Sequence, residues 1–205
     1  MTETQKFGLF KTHNDIVLPK FATQQSACFD LMCQTAGKME YQVYNESNKV
    51  KARPLYDFTG KKHHVHVGSG ERAAIPTGII MDIPKGHSVR IHSRSGLAFK
   101  NGLVLVNGEG VVDSDFVDEV MLLVLNVSRV GITIGEGDRI AQAELIQNLP
   151  YEIVQITERP TIKTDRIGGF GSTGVSLVNV TAIEENRKEV PVSKRGRARP
   201  SINRN

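Results

Sequence analysis

Short runs of valine and isoleucine recur along the chain, broken every few residues by glycine, proline, asparagine or aspartate; long helical periodicity is nearly absent. Val89 and Ile91 alternate with Arg90 and His92, the period of a strand with one buried face. Residues 104–106, 120–127, 131–134 and 140–146 read as further strands, and Gly135-Glu136-Gly137-Asp138 suits a tight hairpin loop between the last two. Pro76-Thr77-Gly78 and Pro84-Lys85-Gly86 are turn signals bracketing a strand over 79–83. The one helix expected is short, over the Gly-Leu-Ala-Phe-Lys-Asn-Gly that follows Ser95. Many short strands at this spacing predict an all-β sandwich or barrel.

Residues 38–70 fit this pattern least well. They are polar, carry Tyr41, Tyr44 and Tyr56, and hold His63, His64 and His66, so 38–69 reads as an exposed, hairpin-like segment inserted into the domain. His64 and His66 would share one strand face, a spacing zinc can use, but no third ligand stands beside them in sequence. Cys28 and Cys33 are too few for a disulfide framework and read as small core fillers in a reduced, cytoplasmic protein. The most apolar run, 120–127, is too short to span a membrane.

Charge is unevenly divided. The 205-residue chain carries +4, yet its last twenty residues hold seven basic side chains against Glu189 alone, leaving −2 for residues 1–185. The body is therefore no basic nucleic-acid-binding domain. The domain is expected over 1–175, and 176–205 reads as a disordered, solvated extension with nucleic-acid contact as a lesser alternative.

Five segments combine glycine with residue types that hold or hydrolyse phosphate. Ala27-Cys28-Phe29-Asp30-Leu31 places an acid in an apolar run. In Ser93-Arg94-Ser95-Gly96-Leu97-Ala98 a guanidinium fork and a hydroxyl precede a glycine at a helix start, which suits an anion. Asn107-Gly108-Glu109-Gly110-Val111-Val112-Asp113-Ser114-Asp115-Phe116 sets two carboxylates at i and i+2 on a strand, between apolar residues that would bury them; such a group can take a proton from water. Gly137-Asp138-Arg139-Ile140-Ala141-Gln142 is a turn entering a strand. Arg166-Ile167-Gly168-Gly169-Phe170-Gly171-Ser172-Thr173-Gly174 is a loop able to wrap a polyphosphate with backbone N–H groups, though it lacks the lysine of a Walker loop.

In order, ACFDL, SRSGLA, GEGVVDSDF, GDRIAQ and GGFGSTG resemble the five motifs of the trimeric dUTPase family (deoxyuridine triphosphate nucleotidohydrolases); LPKFAT, GERAAIPTGI and IPKG agree as well. The resemblance implies a jelly-roll-like, distorted β-barrel subunit with a flexible C-terminal arm over 164–175, assembled as a homotrimer with shared active sites. It implies hydrolysis of dUTP to dUMP and pyrophosphate, which keeps uracil out of DNA and supplies dUMP for thymidylate synthesis. Asp113 would be the general base for attack of water on the α-phosphorus. Arg94, Ser95, Gly96 and Gln142 would grip phosphate, and Asn107, Gly110, Val111, Val112 and Met121 would line the uracil and deoxyribose pocket. Phe116, where the family usually has tyrosine, would stack on deoxyribose and exclude ribonucleotides. Phe170 would stack on the base, with Arg166, Gly171, Ser172 and Thr173 around the phosphates. Mg²⁺ is the implied cofactor, with Asp30 in its outer sphere and no direct protein ligand. Asp118 replaces a usual glycine, Arg166 stands one residue closer to Gly168 than is usual, and the chain runs on well past the fifth motif. Alternatives on the same scaffold are a dCTP deaminase-like enzyme, which relies on a glutamate where this chain offers Asp113 and Asp115, and a non-catalytic nucleotide-binding regulator.

Overall fold

The computed structural model describes residues 5–57, 63–161 and 163. The chain divides into two units, 1–153 and 154–205. Every described helix and strand lies in the first; in the second, residues 154–161 and 163 carry neither.

The strands follow the alternation of apolar positions. β1 (Gly8–Lys11) and β2 (Phe29–Met32) precede β3 (Glu40–Tyr44), β4 (Val50–Pro54), β5 (Tyr56–Asp57) and β6 (His63–Val67). Then come β7 (Arg72–Asp82), β8 (His87–Ser93), α1 (Ser95–Asn101), β9 (Leu103–Leu105), β10 (Glu109–Asp113), β11 (Glu119–Asn126), β12 (Ile132–Gly135) and β13 (Arg139–Gln147). β11 buries Val120, Leu122, Val124 and Asn126 while Met121 and Leu123 face outward, the period-two signature of a half-covered sheet.

All pairings are antiparallel. One sheet runs β4-β3-β7-β11-β9, with β1 along the second half of β7; another runs β10-β8-β13-β2; a third joins β12, β6 and β5. Their inner faces share one apolar core that includes Leu31, Ile75, Val89, Leu122 and Ile134. Each such side chain contributes about 1.5–3 kcal/mol on leaving water. The fold is an all-β jelly-roll type, as predicted, with no closed barrel among the described residues.

Two local expectations are corrected. Pro76-Thr77-Gly78 is no turn: it lies inside the eleven-residue β7. Met121 pairs with Pro76 but Glu119 with Ile80, so extra residues of β7 bulge out at Thr77 and Gly78. Gly78 adopts φ 67° there, and a Cβ on it would sit 2.3 Å from Ile16 Cδ1. Glu119 Oε1 accepts from the Gly78 N–H at 2.8 Å and its Oε2 pairs with Lys38 Nζ at 2.5 Å, which pins the bulge. A proline, a β-branched threonine and a glycine carry the same sequence signal in a turn and in a bulge.

Residues 38–70 do contain a hairpin, β3–β4 with an exposed outer strand, but the segment as a whole is not a surface excursion. β3 pairs with both β4 and β7, and Tyr41, Val43, Val65 and Val67 are buried. Arg53 clamps the segment to β7 through a two-pronged ion pair with Glu71, at 2.7 and 2.6 Å. Glu71 also accepts from the Gly68 N–H at 2.7 Å. Polar residues here make a half-buried network that composition alone reads as a solvated surface. His64 and His66 do share a cavity, and Glu71 lines it too, but Arg53 occupies that carboxylate. No group of three metal-ligating side chains forms among the described residues.

Candidate active site

Two cavities gather the residues that the sequence singles out, and they share none. The first, about 590 Å³, lies where β2, β8 and β13 end beside α1. Its lining includes Asp30, Arg94, Ser95, Gly96 and Gln142, all expected, together with Lys100, Arg139 and Cys28. Arg94 is the last extended residue before α1, with φ −84° and ψ 124°, so Ser95 and Gly96 open the helix beside the cavity, where first-turn N–H groups have no intrahelical carbonyl partner. Nothing lies within 4 Å of where a Gly96 Cβ would stand, and its φ is not positive. That glycine leaves room for something outside the chain.

Asp30 organises this cleft. Its Oδ1 takes Arg94 Nε at 3.0 Å and its Oδ2 takes Arg139 Nη1 at 3.1 Å. Arg94 Nη1 donates to the Arg139 carbonyl at 2.7 Å, and Gln142 Nε2 donates to the Ser93 carbonyl at 3.2 Å. Two guanidiniums face one carboxylate, and Lys100 adds a third cation, so the cleft is net positive and suits a polyanion. Cys28 is half-exposed here rather than a core filler; its thiol is pushed up by burial and by Glu144 and Asp30. Cys33 is fully buried and pushed up to about 12, mainly by burial, so it stays an inert thiol.

The second cavity, about 420 Å³, is lined by Asn107, Gly110, Val111, Val112, Asp113, Phe116 and Met121 as expected, and by Asp115, Leu123, Ile91 and Val120. β10 forms its wall and is an edge strand, paired among the described residues only to β8. An edge strand offers unpaired N–H and C=O groups, which can read a flat hydrogen-bonding ligand. Gly108 turns into β10 with φ 71°, and Gly110 packs against Ile91, where a Cβ would stand 3.0 Å from the Ile91 Cβ. Val111, Phe116 and Met121 present half-open apolar surface, whereas the Val112 side chain points into the core.

The expectation of two carboxylates on one buried strand face is corrected. β10 ends at Asp113, residues 114–115 form a turn, and Asp113 and Asp115 are both exposed. The Phe116 N–H bonds to the Asp113 carbonyl at 3.1 Å, which closes that turn and swings Phe116 back over the cavity. Arg166, Phe170, Gly171, Ser172 and Thr173 lie outside the described residues, as does the extension over 176–205. Arg139 and Lys100 are additions that the sequence reading does not single out, whereas Asp115, expected beside Asp113, lines the second cavity from the turn. Asp115 and Arg139 stand within the third and fourth motifs, and Lys100 lies one helical turn from Gly96, which is the signal that points to it.

The sequence profile of the dUTPase family matches residues 56–174, more than half of the chain. The chain belongs to the dUTPase family. It is 36% identical over 160 residues to the deoxyuridine 5'-triphosphate nucleotidohydrolase of Finegoldia magna, covering 77% of this chain and 91% of that one. It is 32% identical over 171 residues to the Caulobacter vibrioides enzyme of the same name, covering 83% and 94%. The fold matches that of a dUTPase variant from Staphylococcus bacteriophage 80alpha solved with dUpNHpp, at a TM-score of 0.64 and 18% identity, over 84% of this chain and all of the other. The residues matched by the profile include the whole lining of the second cavity and the Arg94–Gln142 part of the first. Among the described residues no helix is long and apolar enough to cross a membrane.

Proposed function

We propose that the two cavities are complementary halves of one dUTPase active site, the phosphate cleft coming from one copy and the nucleoside pocket from another, in a homotrimer. The observation that carries this reading is the partition itself: Arg94 and Gln142 line one cavity of the chain, and Asp113 and Phe116 line another. A single copy holds both halves but does not bring them together around one ligand. The product chemistry is hydrolysis of dUTP to dUMP and pyrophosphate, in the cytoplasm where deoxynucleotides are made.

Uracil lies against β10, whose free edge offers backbone donors and acceptors, and the Phe116 ring covers the deoxyribose. Arg94, Ser95, Gly96 and Gln142 hold the phosphates in the positive cleft. Asp113, exposed at the end of β10, orients a water and takes its proton as the oxygen bonds to the α-phosphorus. The bond to the bridging oxygen breaks in line and pyrophosphate leaves, a displacement governed by positioning and charge. Arg166, Ser172 and Thr173 complete the phosphate shell, Gly171 lets the arm turn closely around it, and Phe170 closes over the base.

Magnesium fits as an ion carried by the triphosphate. Asp30, the one carboxylate lining the phosphate cleft among the described residues, is committed to two guanidiniums, which agrees with an outer-sphere role through water. When bound, the ion neutralises phosphate charge; the protein's part is to orient the chain of phosphates around it.

Asp113→Asn is expected to abolish pyrophosphate release from dUTP while dUpNHpp still binds. Arg94→Ala is expected to be inactive through lost binding. Mixing the two dead variants under conditions of subunit exchange should restore turnover, because some sites then draw an intact Arg94 from one copy and an intact Asp113 from its neighbour. Mixed assemblies that stay silent would remove the shared-site reading, and dUTP appearing from dCTP would point instead to deamination.

A further inference from the structure

β13 carries an irregularity at the phosphate cleft. Ala141 pairs with Leu31, but Arg139 pairs with Met32, so Ile140 is an extra residue on β13. The burial sequence shows its effect: Ile140 and Ala141 are both buried, while Arg139 and Gln142 on either side face outward. In a regular strand Arg139 would share the face of Ala141 and enter the core. The bulge re-phases it to the side of Asp30, whose strand neighbour across the ladder is Gln142.

From this position Arg139 completes a closed circuit. Its side chain holds one oxygen of the mostly buried Asp30, the other oxygen holds Arg94 Nε, and the Arg139 carbonyl holds Arg94 Nη1. Arg94 Nη2 has no partner among the described residues, so the circuit fixes the guanidinium plane and leaves one fork nitrogen to donate outward. We infer that Arg139 is a positioning residue for phosphate binding, acting on Arg94 through Asp30. This rests on reading the cleft as the phosphate half of a dUTPase site. With Asp30 neutralised on both sides, Arg94 meets the ligand already oriented, so fewer rotamers are lost when phosphate arrives.

The test is a double-mutant cycle read on two probes, dUpNHpp and inorganic tripolyphosphate, by calorimetry on the full chain, with deoxyuridine as a probe for the nucleoside half. Arg139→Met should weaken both phosphate-bearing probes by about tenfold, the loss typical of one charge-assisted contact. Deoxyuridine binding and the melting temperature should hold, and Arg139→Lys should recover part of the loss. Adding Arg139→Met to Asp30→Asn should weaken binding no further than Asp30→Asn alone. Additive losses would mean that Arg139 touches phosphate itself and would overturn the positioning role, as would wild-type affinity in Arg139→Met. Tripolyphosphate binding that follows the cycle in a protein unable to hydrolyse dUTP would leave the clamp standing and sink the nucleotidohydrolase reading instead.

Discussion

Gly96 shows how one residue separates stability from function. A methyl there meets no atom of the chain, and its backbone is ordinary, so Gly96→Ala should leave stability within about 0.5 kcal/mol of the parent. The methyl does intrude on the space beside Arg94 and Ser95, so triphosphate affinity should fall by about tenfold or more in the same variant. Thermal melts and dUpNHpp titrations side by side would check both halves of that statement; a parallel loss of melting temperature would assign Gly96 to packing. The lining of the two cavities is largely legible in the sequence: Arg94, Gln142, Asp113 and Phe116, each inside a motif, all line one or the other. Arg139 is not, because its role depends on a one-residue slip in β13 that no local pattern records. The exposure of Asp113 escapes the pattern for a related reason: the strand stops there, and the following Ser114-Asp115 turn removes the second carboxylate from its face.

At the scale of elements, the bulge of β7 and the clamp on β4 are the features to perturb. Gly78→Ala combines a left-handed backbone with a methyl 2.3 Å from the buried Ile16, and should cost about 2–4 kcal/mol, read as a lowered denaturation midpoint. The Arg53–Glu71 pair gives a pH signature. Two hydrogen bonds from Arg53 hold the Glu71 carboxyl below its ordinary value of 4.5, against a smaller opposing effect of burial. The ion pair's stabilisation is therefore fully present above that ordinary value and is lost as pH falls through the lower folded one. Glu71→Gln should destabilise the chain by about 2 kcal/mol at neutral pH, with the gap to the parent closing in acid. Melting curves across that range that stay parallel would show that the pair contributes nothing. β8 is readable from alternation and β11 and β13 from their apolar runs, whereas the strands built by residues 38–70 are not. There the buried residues, Tyr41, Val43, Val65 and Val67, are scattered among polar neighbours and backed by a half-buried Arg53–Glu71 pair, which a hydropathy pattern scores as exposed. The Tyr41 hydroxyl, for example, donates to the His66 carbonyl at 2.8 Å and accepts from its N–H at 2.9 Å, joining β3 to β6.

For the whole molecule, the charge division separates catalysis from whatever the last residues do. Both cavities lie in residues 22–142, whereas the seven cations fall after residue 186. Removal of residues 176–205 is accordingly expected to leave kcat and KM for dUTP within about twofold of the full chain. It should also bring the formal net charge from +4 to zero, so that the shortened protein leaves a cation exchanger at lower salt than the full chain. A collapse of turnover would attach those residues to the catalytic arm. Overall topology lies beyond the reach of the sequence pattern except through family likeness, since alternation fixes which face of a strand is buried and not which strands are neighbours. β8 is where this matters most: it pairs with β13 on one side and β10 on the other, and Arg94 follows its end. In a shared-site assembly one such ladder therefore serves two different catalytic centres. A lesion in it, expressed alongside intact copies, would silence more activity than its share of the chains, which is the behaviour of a dominant allele rather than a recessive one.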